Sequence, residues 1–374
     1  MLDSAYKDKT VLVTGHTGFK GSWLCEWLLL MEAQVVGYAL EPPSNPSLYE
    51  STGLSDRLVE DVRADLADVK QLQATLNRHK PDFVFHLAAQ PLVRYGFEEP
   101  VETFTTNVAG TMNVLEALRV QALNCVVVLV TTDKVYENAE WLWSYRENDP
   151  LGGYDPYSAS KACAEIVISS YRRSFFPSGD LASASVASAR GGNVVGGGDW
   201  AADRIVPDSI GALTRGEAIP VRNKIATRPW QHVLELVGGY LHLGREMAAA
   251  RALGDAQRLD ALCDAYNFGP MITSNRSVQA LVEELLKHWP GEWQDLSDPA
   301  AVHEAGRLNL TIDRAYHNLN WMPLLSFEQT IAQTVSWYQA YNLQPQAIGQ
   351  VTVNQIKEYL QLVAESPWAN ARIG

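Results

Sequence analysis

Thr10-Val11-Leu12-Val13-Thr14-Gly15-His16-Thr17-Gly18-Phe19-Lys20-Gly21 reads as a strand running into a glycine-rich turn. Thr10 to Thr14 are apolar or β-branched, the composition of a short buried strand, and the apolar run from Ser22 to Met31 is long enough for a helix. Between them the glycines are spaced GxxGxxG. At a strand-to-helix turn such glycines permit positive φ, let the backbone approach a pyrophosphate, and allow tight packing of a helix whose N-terminus faces the anion. Glycine clusters also mark ordinary turns, and the weight of this one comes from its place between a strand and a helix. It predicts a dinucleotide-binding unit at the start of the chain.

Outward from there the βα alternation continues. Strands are expected over 34–39, 58–62, 83–87 and 126–131, with helices over 68–78 and 110–120. A strand over 183–189 completes the sheet, which predicts an α/β, Rossmann-type doubly wound parallel fold with a smaller, mostly C-terminal substrate domain.

Asp155-Pro156-Tyr157-Ser158-Ala159-Ser160-Lys161 carries the chemistry. Asp155 suits an N-cap and Pro156 the first helical position, so Tyr157 and Lys161 fall on one face of the first turns. A cation beside a phenol stabilises tyrosinate, and Tyr157 is therefore expected to take a proton from a substrate hydroxyl near neutral pH. YxxxK by itself is common on helices, where a half-buried Tyr beside a solvated Lys is the usual outcome.

The two motifs together resemble the extended short-chain dehydrogenases/reductases over most of the chain. The resemblance implies NAD as cofactor, with Gly15, Thr17, Gly18, Phe19, Lys20 and Gly21 along its phosphates and Tyr157 and Lys161 at its reactive end. Asp61 and Val62 resemble the pair that holds the adenine, one through its carboxylate and the other through its backbone. His86-Leu87-Ala88-Ala89 resembles the loop along the phosphates and ribose, and Asn107 the residue that shapes the active-site backbone. Plainer readings stand beside these: Ala-Ala lets elements pack closely, and Asn107 suits a helix cap. One position departs from the pattern. Where NAD-specific members carry an acidic residue at the end of the second strand, this chain has Ala39, and Glu41 comes two residues late. No Arg or Lys stands there in sequence to receive a 2′-phosphate, so NAD is expected, with weaker retention.

Thr131-Thr132-Asp133-Lys134 follows the apolar run from Val126 to Val130, at the carboxyl end of a buried strand where such sheets place ligands. Thr132 resembles the residue that holds the reacting sugar hydroxyl. An acid-base pair directly after it is a feature of nucleotide-sugar 4,6-dehydratases, and Asp133-Lys134 resembles the CDP-glucose 4,6-dehydratases among them. Capping by Asp133 with an exposed Lys134 is the plainer alternative. In the implied reaction Tyr157 takes the proton of the glucose 4-hydroxyl as hydride passes to NAD. The resulting 4-ketone acidifies carbon 5, and water leaves with Lys134 as base and Asp133 as acid before hydride returns to carbon 6. Such roles call for burial of Lys134 near other cations and an apolar site around Asp133. Another nucleotide-sugar dehydratase, for GDP-mannose or dTDP-glucose, or a 4-epimerase, is the competing reading.

Beyond Tyr157 a Gly-rich loop, Ala189 to Trp200, offers amides and Asn193 to a pyrophosphate and sugar. The segments around Arg204 and Arg228 resemble the same dehydratases, and these arginines are the expected phosphate ligands, with surface salt bridges as the alternative. Trp200 and Trp230 present faces for base stacking, though 11 Trp in 374 residues more often means packing. By resemblance the cofactor domain covers 1–189 plus about 230–270, with a helix over 231–247 and a strand around 266–269. The nucleotide-sugar domain covers about 190–229 plus 271–374, with 250–262 and 291–303 read as surface insertions or helices.

Composition agrees. A chain of 374 residues with 47% hydrophobic content can build a large two-lobed core, and a net charge of −13 without a long basic run disfavours nucleic acid and anionic membranes as partners. Cys25, Cys125, Cys163 and Cys263 show no metal-binding spacing and read as reduced thiols, so no metal is expected. No apolar run approaches the ~20 residues of a membrane span and the first strand starts near residue 10, which predicts a cytoplasmic enzyme. The resemblance, not the composition, implies CDP-glucose as its partner. Apolar residues on two helices, Val114, Leu115 and Leu118 with Ile166, Val167 and Tyr171, predict a homodimer or dimer of dimers.

Overall fold

The computed structural model describes residues 3–177, 179–297 and 307–369. Six strands come first along the chain: β1 Thr10–Thr14, β2 Gln34–Ala39, β3 Glu60–Arg63, β4 Phe83–His86, β5 Val126–Val130 and β6 Ser185–Arg190. With Ala265–Asn267 they form a seven-stranded sheet, parallel throughout, in the order Ala265–Asn267, β6, β5, β4, β1, β2, β3. Parallel neighbours require crossovers, supplied by helices that include Phe19–Leu30, Val69–His79, Gly110–Val120, Pro156–Phe175 and Val233–Leu253. Strand order reverses at β1, so a ligand crevice opens outside the carboxyl ends of β1 and β4. The expected Rossmann-type fold is the one observed.

Alternation along the strands sorts the core into two layers. Val11 and Val13 face a cluster with Trp23, Leu24, Trp27, Val237 and Leu241, while Leu12 faces Leu72, Leu76, Val114 and Leu118. Burial on both faces of the sheet fixes strand register, because each buried aliphatic side chain contributes about 1.5–3 kcal/mol that a slip would forfeit. Val114, Leu115 and Leu118 are fully buried in this second layer, so they cannot form the intersubunit stripe expected of them. Exposed large apolar side chains on the two helices are Met112, Val120, Ile166 and Phe175, with Val101 exposed on the neighbouring helix Pro100–Phe104.

Of the two stretches read as surface insertions or helices, the first is helical and the second contributes a short strand. Residues 250–262 lie mostly within Val233–Leu253 and a further helix, Ala256–Leu262. Trp293–Asp295 pairs with Ile219–Val221, and residues 298–303 of that stretch lie outside the described residues. The final long helix, Ile348–Glu365, returns to the sheet lobe, where Tyr359 packs edge-on to Trp27 at 5.6 Å between ring centroids. Glu235 ties this junction together: Oε1 accepts from the backbone of Leu324 and Leu325 at 2.8 and 2.6 Å, and Oε2 from Tyr359 at 2.6 Å. The four cysteines are free. Among the described residues no helix is long and apolar enough to cross a membrane, and no cluster of three or more metal-ligating side chains occurs.

Candidate active site

The turn after β1 is shaped by contacts that exclude side chains. Gly15 has φ 75°, donates to the Tyr38 carbonyl at 2.9 Å, and a Cβ there would come within 2.6 Å of the Ala88 nitrogen. A Cβ on Gly18, by contrast, would meet nothing nearer than 3.5 Å. Gly18 caps the helix Phe19–Leu30 without a side-chain hydrogen bond, which leaves the first-turn amides to an external acceptor. An open cradle of uncapped amides at the sheet's switch point fits a dinucleotide pyrophosphate. Thr17 Oγ1 donates to the Leu40 carbonyl at 3.1 Å, and Leu87 and Ala88 are tied to Thr14 at 3.0 and 3.3 Å.

Asp61 is engaged more heavily than the sequence suggests. Its Oδ1 accepts from His16 Nε2 at 2.8 Å, and its Oδ2 from Tyr49 and from Arg63 Nη2, the latter at 3.1 Å. Burial works against the carboxylate, but these hydrogen bonds hold its pKa below the usual range. Burial also lowers His16, outweighing Asp61, so a neutral imidazole donates Nε2–H. Val62 is buried beside it, and Ala89 continues the loop after β4.

Asn107 does not cap a helix. It sits in a π-helical turn, Thr105–Ala109, where Oδ1 accepts from the Gln90 amide at 2.9 Å and Nδ2 donates to the Gln90 carbonyl at 3.1 Å and Ser160 Oγ at 2.8 Å. It thereby joins the loop after β4 to the helix that carries Tyr157 and Lys161. The extra residue of a π turn re-aims such a side chain.

The helix Pro156–Phe175 starts as its sequence predicts: Asp155 accepts from the Ser158 amide at 2.9 Å and Ser158 Oγ at 2.6 Å, with Pro156 in the first turn. Tyr157 and Lys161 are both buried. The expected effect of one on the other is absent, however. Tyr157 is pushed up to about 12, chiefly by burial, with a hydrogen bond to Thr132 and the Arg204 charge opposing. Lys161 instead donates to the Val130 carbonyl at 3.1 Å, and burial and the charge of Lys20 lower it to about 7. Lys20 is itself lowered to about 8 by burial and Arg204, against Asp133 and Asp199. Lys20, Tyr157, Lys161, Asp133 and Arg204 thus form one electrostatic group.

Thr132 and Asp133 project from the carboxyl end of β5. Asp133 is buried, but in polar surroundings rather than the apolar ones expected: Thr132 Oγ1 donates to Oδ1 at 3.0 Å and Asn193 Nδ2 to Oδ2 at 2.7 Å. A Cβ on Gly192 would overlap Asp133 Oδ1 at 1.9 Å, so any larger residue there would displace the Asp133 carboxylate. Lys134 is partly exposed, and its ammonium makes no hydrogen bond or ion pair among the described residues. Arg204 Nη1 pairs with Asp199 Oδ2 at 2.8 Å. Arg228 lies instead on a two-stranded ribbon, Thr227–Pro229 against Asn275–Ser277, opposite Arg276. The two tryptophans serve packing. Trp230 is buried with Nε1 on the Arg276 carbonyl at 3.0 Å, and Trp200 sits edge-on to Trp337, Tyr338 and Tyr341.

Sequence reasoning missed a buried cluster beneath the site. Glu165 accepts from Thr131 Oγ1 at 2.5 Å, Ser188 Oγ at 2.9 Å and Arg190 Nη2 at 2.8 Å, joining β5, β6 and the Tyr157 helix. The available signal was a Glu one turn after Lys161 on the same helix face, which only a buried cation could accompany.

The family profile described as GDP-mannose 4,6 dehydratase matches residues 12–334. The chain is 42% identical to a CDP-glucose 4,6-dehydratase of Salmonella typhimurium, over 91% of this chain and 94% of that protein. It is 28% identical to a UDP-glucose 4-epimerase of Mycolicibacterium smegmatis, over 87% of this chain and 97% of that one. Among solved structures, the dTDP-glucose 4,6-dehydratase of Bacillus anthracis in complex with NAD superposes with a TM-score of 0.72 at 20% identity, covering 91% of this chain and 99% of that one.

Proposed function

Because the chain belongs to the GDP-mannose 4,6-dehydratase family of extended short-chain dehydrogenases/reductases, we propose from its particular likeness and site chemistry that it is an NAD-dependent CDP-glucose 4,6-dehydratase. It converts CDP-glucose to CDP-4-keto-6-deoxyglucose and water. One observation carries the reading: 42% identity over 91% of the chain to an enzyme of that activity, against 28% for the epimerase. Asp133 and Lys134 after Thr132 have work in a dehydratase and none in an epimerase.

The uncapped turn Gly15–Gly21 with Thr17, Phe19 and Lys20 would hold the pyrophosphate of NAD, Asp61 and Val62 its adenine end, and Leu87, Ala88, Ala89 and Asn107 the wall beside it. When bound, NAD would supply a positive ring charge and a hydride acceptor for carbon 4, and its reduced form a hydride donor for carbon 6. Tyr157 takes the proton of the sugar 4-hydroxyl, which Thr132 holds by a hydrogen bond. With a resting pKa near 12, its phenolate relies on Thr132, on Arg204 and on charge that arrives with the ligands. We assign Lys134 the carbon-5 proton, since no described side chain holds its ammonium, and Asp133 the protonation of the departing 6-hydroxyl. Asn193 positions Asp133, and Arg204 and Arg228 receive the diphosphate. The finer readings belong to the same proposal: a cytoplasmic lyase of deoxysugar biosynthesis for surface polysaccharide such as lipopolysaccharide O-antigen, acting as a homodimer or dimer of dimers.

The test is to add CDP-glucose with a trace of NAD and follow the alkali-labile absorbance of a 4-keto sugar together with NADH at 340 nm. Keto product without NADH accumulation is expected. Reduction of the whole trace of NAD to NADH, with turnover ending there, marks an ordinary dehydrogenase, and a 4-epimer without keto product marks an epimerase.

A further inference from the structure

Ala39 ends β2, Arg63 ends β3, and the parallel ladder sets them side by side. From there Arg63 Nη1 donates to the Leu40 carbonyl at 2.9 Å and Nη2 to Asp61 Oδ2 at 3.1 Å, while the guanidinium lies 4.6 Å from the Tyr49 ring centroid. The stacked ring and the two hydrogen bonds fix the plane of the group at the carboxyl edge of the sheet, on the side of the Gly15 turn. A guanidinium has five N–H donors, so two used here leave three. The side chain keeps 26% of its surface exposed.

The sequence places no cation after β2, and the structure supplies one from the neighbouring strand. Where a carboxylate would accept from the adenosine ribose and repel a 2′-phosphate, this chain has the methyl of Ala39 with a guanidinium beside it. Glu41 is exposed and makes no hydrogen bond among the described residues. Asp61, the other nearby anion, is already matched by His16, Tyr49 and Arg63.

We propose that Arg63 makes the adenosine end of the dinucleotide site accept a 2′-phosphate, so that the protein binds NADP as well as NAD. The proposal rests on the Gly15–Gly21 turn being a dinucleotide site. It makes Arg63 and Ala39 the specificity-determining pair.

The experiment uses the full chain and two redox-inert probes, ADP and 2′,5′-ADP, titrated by calorimetry. In the wild type their dissociation constants should agree within about tenfold, since loss of the ribose carboxylate removes the usual discrimination. Arg63→Gln should shift the ratio of the two constants against 2′,5′-ADP by about tenfold or more, the effect of one charge-assisted contact. Ala39→Asp should shift it the same way by repulsion. A wild type that binds 2′,5′-ADP more than tenfold worse than ADP, or an Arg63→Gln ratio shifted by less than tenfold, overturns the proposal. If Arg63→Gln fails to fold by circular dichroism, the wild-type ratio of the two constants decides alone. Failure of ADP itself to bind would instead sink the dinucleotide site, and so separates the two readings.

Discussion

Asn193 Nδ2 donates to Asp133 Oδ2 at 2.7 Å, joining the carboxyl end of β5 to the Gly-rich loop after β6 across 60 residues of chain. Asn193 achieves this from a left-handed backbone conformation, φ 51°, which asparagine tolerates better than most residues. Asn193→Ala removes one of the two side-chain donors on Asp133. A hydrogen bond to a charged group is worth about 1.5–3 kcal/mol, so dehydration should slow about tenfold or more. Single-turnover assays should show the loss after carbon-4 oxidation, with NADH formed at its normal rate. Equal slowing of both phases would make Asn193 a substrate ligand alone.

Oxidation and elimination should separate by mutation. Tyr157→Phe is expected to abolish every step, by at least the ~10²–10⁴ typical of a general acid-base group. Asp133→Asn and Lys134→Met should still transfer hydride to NAD yet stall before water loss, visible as NADH that accumulates on adding substrate. Full dehydration by either variant would remove the acid-base assignment.

Assembly is the next expectation. The apolar surface left beside these helices includes Val101 on the adjoining helix Pro100–Phe104, at 78% exposure, and Ile166, at 57%, and an isologous contact would bury both. Light scattering at micromolar concentration should report a dimer or tetramer, and Val101→Glu with Ile166→Glu should yield monomer. A monomeric wild type refutes this.

Acid should destabilise the fold through histidines that are buried neutral. Burial lowers His86 and His232 to about 3, with the Lys161 charge adding at His86, and burial lowers His242 to about 4. Below their unfolded value near 6.5, the unfolded chain takes up protons that the folded chain refuses, so stability falls as pH drops through the folded values. Glu235, raised to about 7 by burial, has the opposite sign: its contribution is present below about 4.5 and lost as pH rises towards 7. With the large shifts of His86, His232 and His242 outweighing that of Glu235, Tm should decline from pH 6.5 to 4. His86→Gln keeps hydrogen-bonding capacity between Thr14 and Thr111 and should flatten that decline; an unchanged slope would remove His86 from the account.

Features that local chemistry encodes were legible from residue order. Three glycines between an apolar strand and an apolar run, a capped helix with Tyr157 and Lys161 one turn apart, and an all-apolar β5 ending in Thr132-Asp133 are each complete within about ten residues, because backbone periodicity and capping act at that range. What the tertiary structure alone decided is who stands beside whom. Parallel strands are joined by long crossovers, so register brings Arg63 next to Ala39 and Asn193 next to Asp133 with no trace in their spacing. Burial, likewise, is a property of the packed layers. It turned Val114, Leu115 and Leu118 from an expected interface into core, and it pushed Tyr157 up where the neighbouring Lys161 had suggested the reverse, because desolvation of a phenol outweighs a cation whose ammonium is held by the Val130 carbonyl.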